Sequence, residues 1–348
     1  MTLKTFLDVP VDDFLLFLKK EGSPAFHGRQ VYEWFFNRDA ADFHSMSDLP
    51  LALREMLSRE YRLHPLALRR KENSSIDGTV RYHFEDRDHR DVSAVMLPEA
   101  PAAAAAEAGH YSICLSSQLG CSYRCSFCAS GLLPFRRQLS AAEIIDQILL
   151  IRGDAGSGLS NVLFMGMGEP LANYTQVVKA MRWITSPGGI GMSPSRVTLS
   201  TSGLVPQIIK LADDGVKVNL AVSLHAVRDD LRLKIMPVSG KFGVRDLIKA
   251  AKYYSRKTNA PVTFEYILLK GVNDHLIDAN RLAYLIKGFP NKVNLIPYNV
   301  IHSLPYERPD SESIHRFQNW LRDRKVPVFV RRAKGLDIGS ACGQLGPA

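Results

Sequence analysis

Three cysteines stand close enough along the chain to hold one metal centre. Cys121, Cys125 and Cys128 have the spacing C-x3-C-x2-C. Thiolates hold iron–sulfur clusters, and a cubane with only three protein thiolates keeps one iron open to an outside ligand. Zinc sites usually take four ligands in paired spacings, and no fourth Cys or His follows at such a spacing. A zinc ion completed by a distant residue is the competing arrangement. The other two cysteines are Cys114, seven residues before the cluster, and Cys342, near the end of the sequence. Taken alone, Cys114 reads as a buried strand residue and Cys342 as a stray thiol in a tail. An odd count of five argues against a secreted disulfide framework and for a reduced, cytoplasmic compartment. The opening segment reaches Asp8 too early for a secretory leader.

These residues need a scaffold, and the pattern from residue 110 onward supplies one. Strands are expected at Tyr111–Ser116, Asn161–Met167, Arg196–Thr201, Lys217–Leu224, Pro261–Leu269 and Lys292–Asn299. Helices are expected between them at Ala141–Ile151, Tyr174–Ile184, Pro206–Asp213, Val244–Arg256 and Leu276–Lys287. Strands with crossovers imply an α/β fold with a parallel sheet, barrel-like or doubly wound. Polar residues and glycines gather just after the strands, at Gly166–Glu169, Ser200–Gly203, Ser223–His225 and Tyr298–Asn299. In such folds the C-terminal strand ends carry the site. A helix over Ser313–Arg324 and a strand over Val326–Arg331 precede a glycine-rich tail.

Residues 1–90 read as mostly helical, with Val31, Trp34 and Phe35 on one helix face and leucines from Leu49 to Leu57 on another. From Thr79 the pattern turns to alternation, a hairpin carrying Val80, Tyr82 and Phe84 and then Val92–Leu97. Pro98–Gly109 is an alanine-rich connector. The expected domains are a helical accessory region over 1–78, a hairpin and connector over 79–109, and a catalytic domain over 110–348. Across 348 residues, 44 Lys and Arg against 35 Asp and Glu give a net charge of +9, which favours a polyanionic partner. Arg54, Arg59, Arg62, Arg69, Arg70 and Lys71 form either a solvated helix face or a phosphate-contacting surface, and Arg136 and Arg137 also suit phosphate. No apolar run is long enough to span a bilayer.

With Phe127 before its third cysteine, the cluster segment resembles the radical S-adenosylmethionine superfamily, and Met165–Pro170 is similar to that superfamily's GGEP-type motif. The match narrows through Ser116–Cys121, Gly168–Asn173, Ser200–Gly203, Ser223–Ala226, Gly271–Asp274, Asn294–Asn299 and Ala341–Leu345. In that order they resemble the RlmN/Cfr adenosine methyltransferases, and His27–Gln30 through Leu53–Glu55 resembles the family's accessory domain. The resemblance implies a partial (β/α)6 barrel with a small N-terminal helical domain. It implies one [4Fe–4S] cluster on Cys121, Cys125 and Cys128, with S-adenosylmethionine held by Gly168, Glu169, Ser200, Ser223, Leu224, His225 and Asn299. It assigns Cys342 as the cysteine that is first methylated, then stripped of a hydrogen by a deoxyadenosyl radical, and then joined to the adenine ring. Cys114 resolves that adduct by forming a disulfide with Cys342.

The implied substrate is an adenosine of large-subunit ribosomal RNA, at C2 in preference to C8, with tRNA modified by some members. An electron donor such as flavodoxin and a monomeric enzyme complete the picture. One position departs from the family: its strand glutamate, matched to deprotonating the ring carbon, is replaced by Ser93, with Glu85, Asp91 and Glu99 nearby in sequence. Serine is a poor general base without an activating partner. Two other readings compete: a radical enzyme acting on a small molecule or protein, and a zinc-stabilised RNA-binding module.

Overall fold

The computed structural model describes residues 3–99 and 109–346. Most of the alanine-rich connector lies outside the described residues. Fourteen strands are present among those described. Two short ones, β1 (Lys4–Thr5) and β2 (Tyr61–Arg62), pair in parallel and close the N-terminal region. Then come β3 (Ala67–Asn73), β4 (Val80–Glu85), β5 (Asp91–Pro98), β6 (Tyr111–Cys114), β7 (Gln118–Leu119), β8 (Arg137–Gln138) and β9 (Leu159–Phe164). They are followed by β10 (Val197–Thr201), β11 (Asn219–Ser223), β12 (Val262–Leu268), β13 (Asn291–Pro297) and β14 (Val328–Val330).

One ten-stranded sheet has the order β14-β13-β12-β11-β10-β9-β6-β5-β4-β3. From β6 to β14 every pairing is parallel, and β5, β4 and β3 add to β6 antiparallel. The expected strands and helices of the parallel part are all present, with ends shifted by a few residues. The sheet is open, yet one cavity touches the ends of β9 through β14, so its C-terminal rim curls around a centre.

Three expectations change. The segment carrying Arg69, Arg70 and Lys71 is not helical but is the edge strand β3, and the main sheet therefore begins before residue 79. The hairpin is not separate, since β4 and β5 extend the catalytic sheet. A short helix, Asp229–Ile235, was not expected.

The N-terminal helices Val11–Lys20, Ala25–Asn37 and Leu51–Glu60 pack around Phe6, which meets Phe14, Tyr32 and Phe35 at 5.0–5.6 Å. This aromatic core continues into the sheet domain, because Trp183 stacks on Tyr32 at 5.3 Å and on Phe36 at 5.0 Å. Helix Ala141–Ala155 lies between the two regions, which explains why even Glu143, Asp146 and Gln147 are buried on it. His64 bonds the Asp146 carboxylate across this junction. No helix among the described residues is long and apolar enough to cross a membrane.

Candidate active site

The loop carrying the three cysteines is fixed by the residues before it. Gln147 brackets Ser116, accepting its N–H at 3.0 Å and donating to its carbonyl at 3.1 Å. Ser116 Oγ donates to the Ser93 carbonyl (2.6 Å) and accepts from the Met167 N–H (3.0 Å), tying β5 and the end of β9 to this point. Gln118 Oε1 accepts the Glu169 N–H at 2.8 Å. Gly168 has φ +99°, and a Cβ there would meet the Gln118 side chain at 2.5 Å, so this close approach requires glycine. The Ser-Ser-Gln and Gly-Glu-Pro motifs are thus two halves of one joint.

Cys121, Cys125 and Cys128 line one cavity with Gly168, Glu169, Ser200, Ser223 and His225. Burial pushes the Cys121 thiol up to about 11 and raises Cys125 and Cys128 as well, the three thiols also opposing one another's ionisation. Among the described residues, no three His, Cys, Asp or Glu side chains already stand at metal-ligating spacing. The donor chemistry nevertheless fits a cationic cluster, since buried thiolates clustered this way are unfavourable until a metal offsets their charge. The wall also fits a polar ligand, because Ser202 Oγ and Glu265 Oε2 are buried there without a hydrogen-bond partner.

Glu169 is buried, and burial raises its carboxyl. It accepts the N–H groups of Leu171 (2.9 Å) and Ser202 (2.6 Å), so it joins two strand-end loops while facing the cavity. His225 also lines the cavity, with Phe127 edge-on to its ring at 4.9 Å. Its Nδ1 accepts the Ile267 N–H at 3.1 Å, and burial pulls its pKa down to about 3, so the ring is neutral. Two expected cofactor residues sit elsewhere. Leu224 is fully buried away from the cavity. Asn299 lines a second, adjoining cavity and donates to the Cys342 carbonyl at 2.9 Å.

That second cavity holds both remaining cysteines. Cys342 lines the two cavities at once and is exposed. Cys114 is buried beneath it on β6, packed with Val95 and Leu345, and burial pushes its thiol up to about 12. Both are free thiols here, and the expected disulfide is not present. The Cys342 loop is held from two further sides: the Ala129 N–H donates to the Gly343 carbonyl (2.7 Å), and Ser130 Oγ donates to the Leu345 carbonyl (2.5 Å).

Two arginines escaped the sequence reading. Arg331, after β14, lies beside Cys342 and Cys114, and the nearby Cys342 charge raises the guanidinium pKa most. By reciprocity it opposes the upward push that burial gives the Cys114 thiol. Arg232 is fully buried, donates to the carbonyls of Leu224 (3.0 Å), Ser202 (2.6 Å) and Ser223 (3.1 Å), and locks β11 to the loop after β10. No local pattern marks either residue. Arg137 is half-buried and already paired, reaching Asp86 at 2.5 Å and Glu143 at 2.7 Å. Ser93 is buried, donates to Asp91 Oδ2 at 3.2 Å, and lines neither cavity.

Comparison with known proteins agrees with this arrangement. The family model described as the radical SAM superfamily matches residues 115–283. A second, the ribosomal RNA large subunit methyltransferase N-terminal domain, matches residues 5–63. A probable dual-specificity RNA methyltransferase RlmN of Alkaliphilus oremlandii is 42% identical over 94% of this chain and 93% of its own. The chain belongs to the RlmN family. The RlmN of Endomicrobium trichonymphae is 40% identical over 91% of this chain and 90% of its own. The crystal structure of a radical SAM methyltransferase from Sphaerobacter thermophilus superposes with a TM-score of 0.91 at 36% identity, covering 98% of both chains. The partial barrel with an N-terminal helical region is therefore the RlmN-family architecture.

Proposed function

We propose that the chain is a radical S-adenosylmethionine methyltransferase that places a methyl group on a ring carbon of adenosine, C2 rather than C8, in ribosomal RNA, with tRNA as a second substrate. The observation that carries this reading is the position of Cys342 in the shared wall of two cavities. One cavity has the chemistry to hold a cluster and cofactor, and the other has the second thiol. A carrier that is loaded on one side and unloaded on the other needs that position.

Cys121, Cys125 and Cys128 would hold the [4Fe–4S] cluster, and Gly168, Glu169, Ser200, Ser223 and His225 would meet S-adenosylmethionine. When bound, the two supply the methyl group and the one-electron chemistry that a non-nucleophilic ring carbon demands. Cys342 accepts the methyl group through its sulfur and presents it to the base. Arg331 sets a guanidinium charge in the same cavity as that sulfur. Cys114, kept protonated by burial, then loses its proton and attacks the Cys342 sulfur; the S–C bond to the base-bound methylene breaks, that carbon takes the electron pair and a proton to become the methyl group, and a Cys114–Cys342 disulfide is left. Glu169 and His225 stay in place, the first bridging loops and the second neutral against Phe127.

Mass spectrometry of nucleosides from RNA incubated with the cluster-loaded protein, a low-potential reductant such as flavodoxin and S-adenosylmethionine should reveal methyladenosine. Its absence from every RNA offered would end the proposal. Brown protein containing iron and sulfide would exclude the zinc-module reading.

A further inference from the structure

A third cavity opens on the antiparallel side of the sheet, and the chemistry above does not use it. Four arginines line it: Arg70 on β3, Arg81 on β4, Arg90 before β5, and Arg136 before β8. Arg81 is only 4% exposed, and its Nε has no hydrogen-bond partner. Its Nη2 donates to the Gly346 carbonyl at 3.0 Å, and no carboxylate pairs with it among the described residues. Burial lowers its pKa, opposed in part by the Glu72 and Asp91 carboxylates nearby, neither of which forms an ion pair with it. Arg136 is exposed and also lacks an ion-pair partner among the described residues.

The acids nearby are already engaged. Asp91 is the one carboxylate among the described lining residues, and it faces His83 Nδ1 at 3.2 Å and the Ser93 hydroxyl. Glu72 pairs with Arg70 and with His83 Nε2 at 3.4 Å, while Arg90 pairs with Asp86 at 3.2 Å and with Asp88. The cavity thus offers two guanidinium groups without a direct ion-pair partner among the described residues, one of them built into the protein interior, which is the chemistry of a phosphate site.

Its place in the fold is informative. Leu119 and Gly120 form one wall, immediately before Cys121, and Gly346 forms another, next to the Leu345 that covers Cys114. Gly120 makes the wall, since it has φ +74° and a Cβ there would strike the Pro134 carbonyl at 2.1 Å. The cavity therefore borders both the cluster loop and the methyl-carrying tail.

We propose that this cavity takes a backbone phosphate of the RNA strand whose adenosine enters beside Cys342. The proposal rests on RNA being the substrate. Positioned phosphate contacts fix the register of a nucleic acid without reading its sequence, which is what delivery of one base to Cys342 requires.

The test compares the cluster-loaded protein with its Arg81→Met/Arg136→Gln variant, titrating a large-subunit ribosomal RNA transcript across salt concentrations. Binding should weaken on the order of tenfold. The slope of log affinity against log salt should flatten by about 0.7–0.9, one phosphate's worth. Because loss of buried Arg81 can disturb β4, the exposed pair Arg70→Gln and Arg136→Gln serves as the second variant and should shift in the same direction. Lys287→Gln, in the exposed turn after helix Leu276–Leu285, should leave the slope unchanged. Inorganic phosphate should compete only weakly with RNA; strong competition would mark a site for the free anion instead and overturn the proposal. Wild-type slope in both variants, with RNA still bound and methylated, would overturn it alone. An equal shift in Lys287→Gln would make the effect general charge and overturn it too. Slower methylation with unchanged affinity would assign the arginines to holding the tail. A wild-type protein that neither binds nor methylates RNA would instead remove the substrate reading on which the proposal stands.

Discussion

The two cavities that meet at Cys342 are built differently. The cluster-side cavity is walled by consecutive parallel strands and by loops locked to one another through Ser116, Gln118, Glu169 and Arg232. The Cys342 side is walled by a tail tied to the rest of the protein by separate hydrogen bonds, from Asn299, Ala129, Ser130 and Arg81 to its carbonyls and from the Gln344 side chain to the Val300 carbonyl. The first is rigid because many backbone groups share few side chains. The second is held by isolated bonds to separate partners, which can give way one at a time, and a carrier cysteine needs that freedom. The comparison suggests where the enzyme keeps its precision and where it keeps its movement.

The difference can be broken from either side. The largest effect is expected at Cys114. In Cys114→Ala, Cys342 still accepts a methyl group and joins the base, but the adduct is not cleaved. Protein covalently attached to RNA should then accumulate on denaturing gels, and multiple turnover should vanish. A next-largest effect is expected on the rigid side, where Gly168→Ala forces a Cβ into Gln118 at a positive φ. It should cost about 1–3 kcal/mol of stability and loosen cofactor affinity, read by thermal melting and by titration with S-adenosylmethionine.

Asn299→Ala sharpens the contrast. It removes a tether of the tail and nothing from the cluster cavity. Methylation should slow about fivefold, the worth of one hydrogen bond near 1 kcal/mol, with S-adenosylmethionine affinity unchanged. A loss of cofactor affinity equal to the loss of rate would put Asn299 back among the cofactor ligands. The smallest effect lies at the junction with the N-terminal helices. The Asp146 carboxylate raises the His64 pKa against the opposing pull of burial. Protonated His64 thus stabilises the folded state fully below its unfolded value of about 6.5, and the gain is lost as pH rises through the higher folded value. Melting temperature should fall modestly across that window, and His64→Gln should flatten the dependence.

What could be read from the sequence follows the same division. The cluster motif is contiguous, and polar residues at strand ends mark a rim without any knowledge of contacts. Within that rim the Leu224 side chain turns away from the cavity, because neighbours at a strand end point to opposite faces and Ser223 already faces it. Asn299 lies beyond the end of β13, where strand parity no longer predicts direction. Strand β3 was read as helix because nearly all of it is exposed, so no alternation survives, and its lysine and arginines are the charges that protect a sheet edge. Arg331, Arg232 and the arginine cavity depend on residues far apart in sequence, and only the folded chain brings them together.

In the proposed reaction Cys342 carries the methyl group between the two cavities. Its most direct test is peptide mass spectrometry after the cluster-loaded protein is incubated with S-adenosylmethionine and then denatured. The account predicts one added methyl group on the peptide containing Cys342, absent in Cys342→Ala, which also fails to methylate RNA. Undiminished RNA methylation by Cys342→Ala would contradict it.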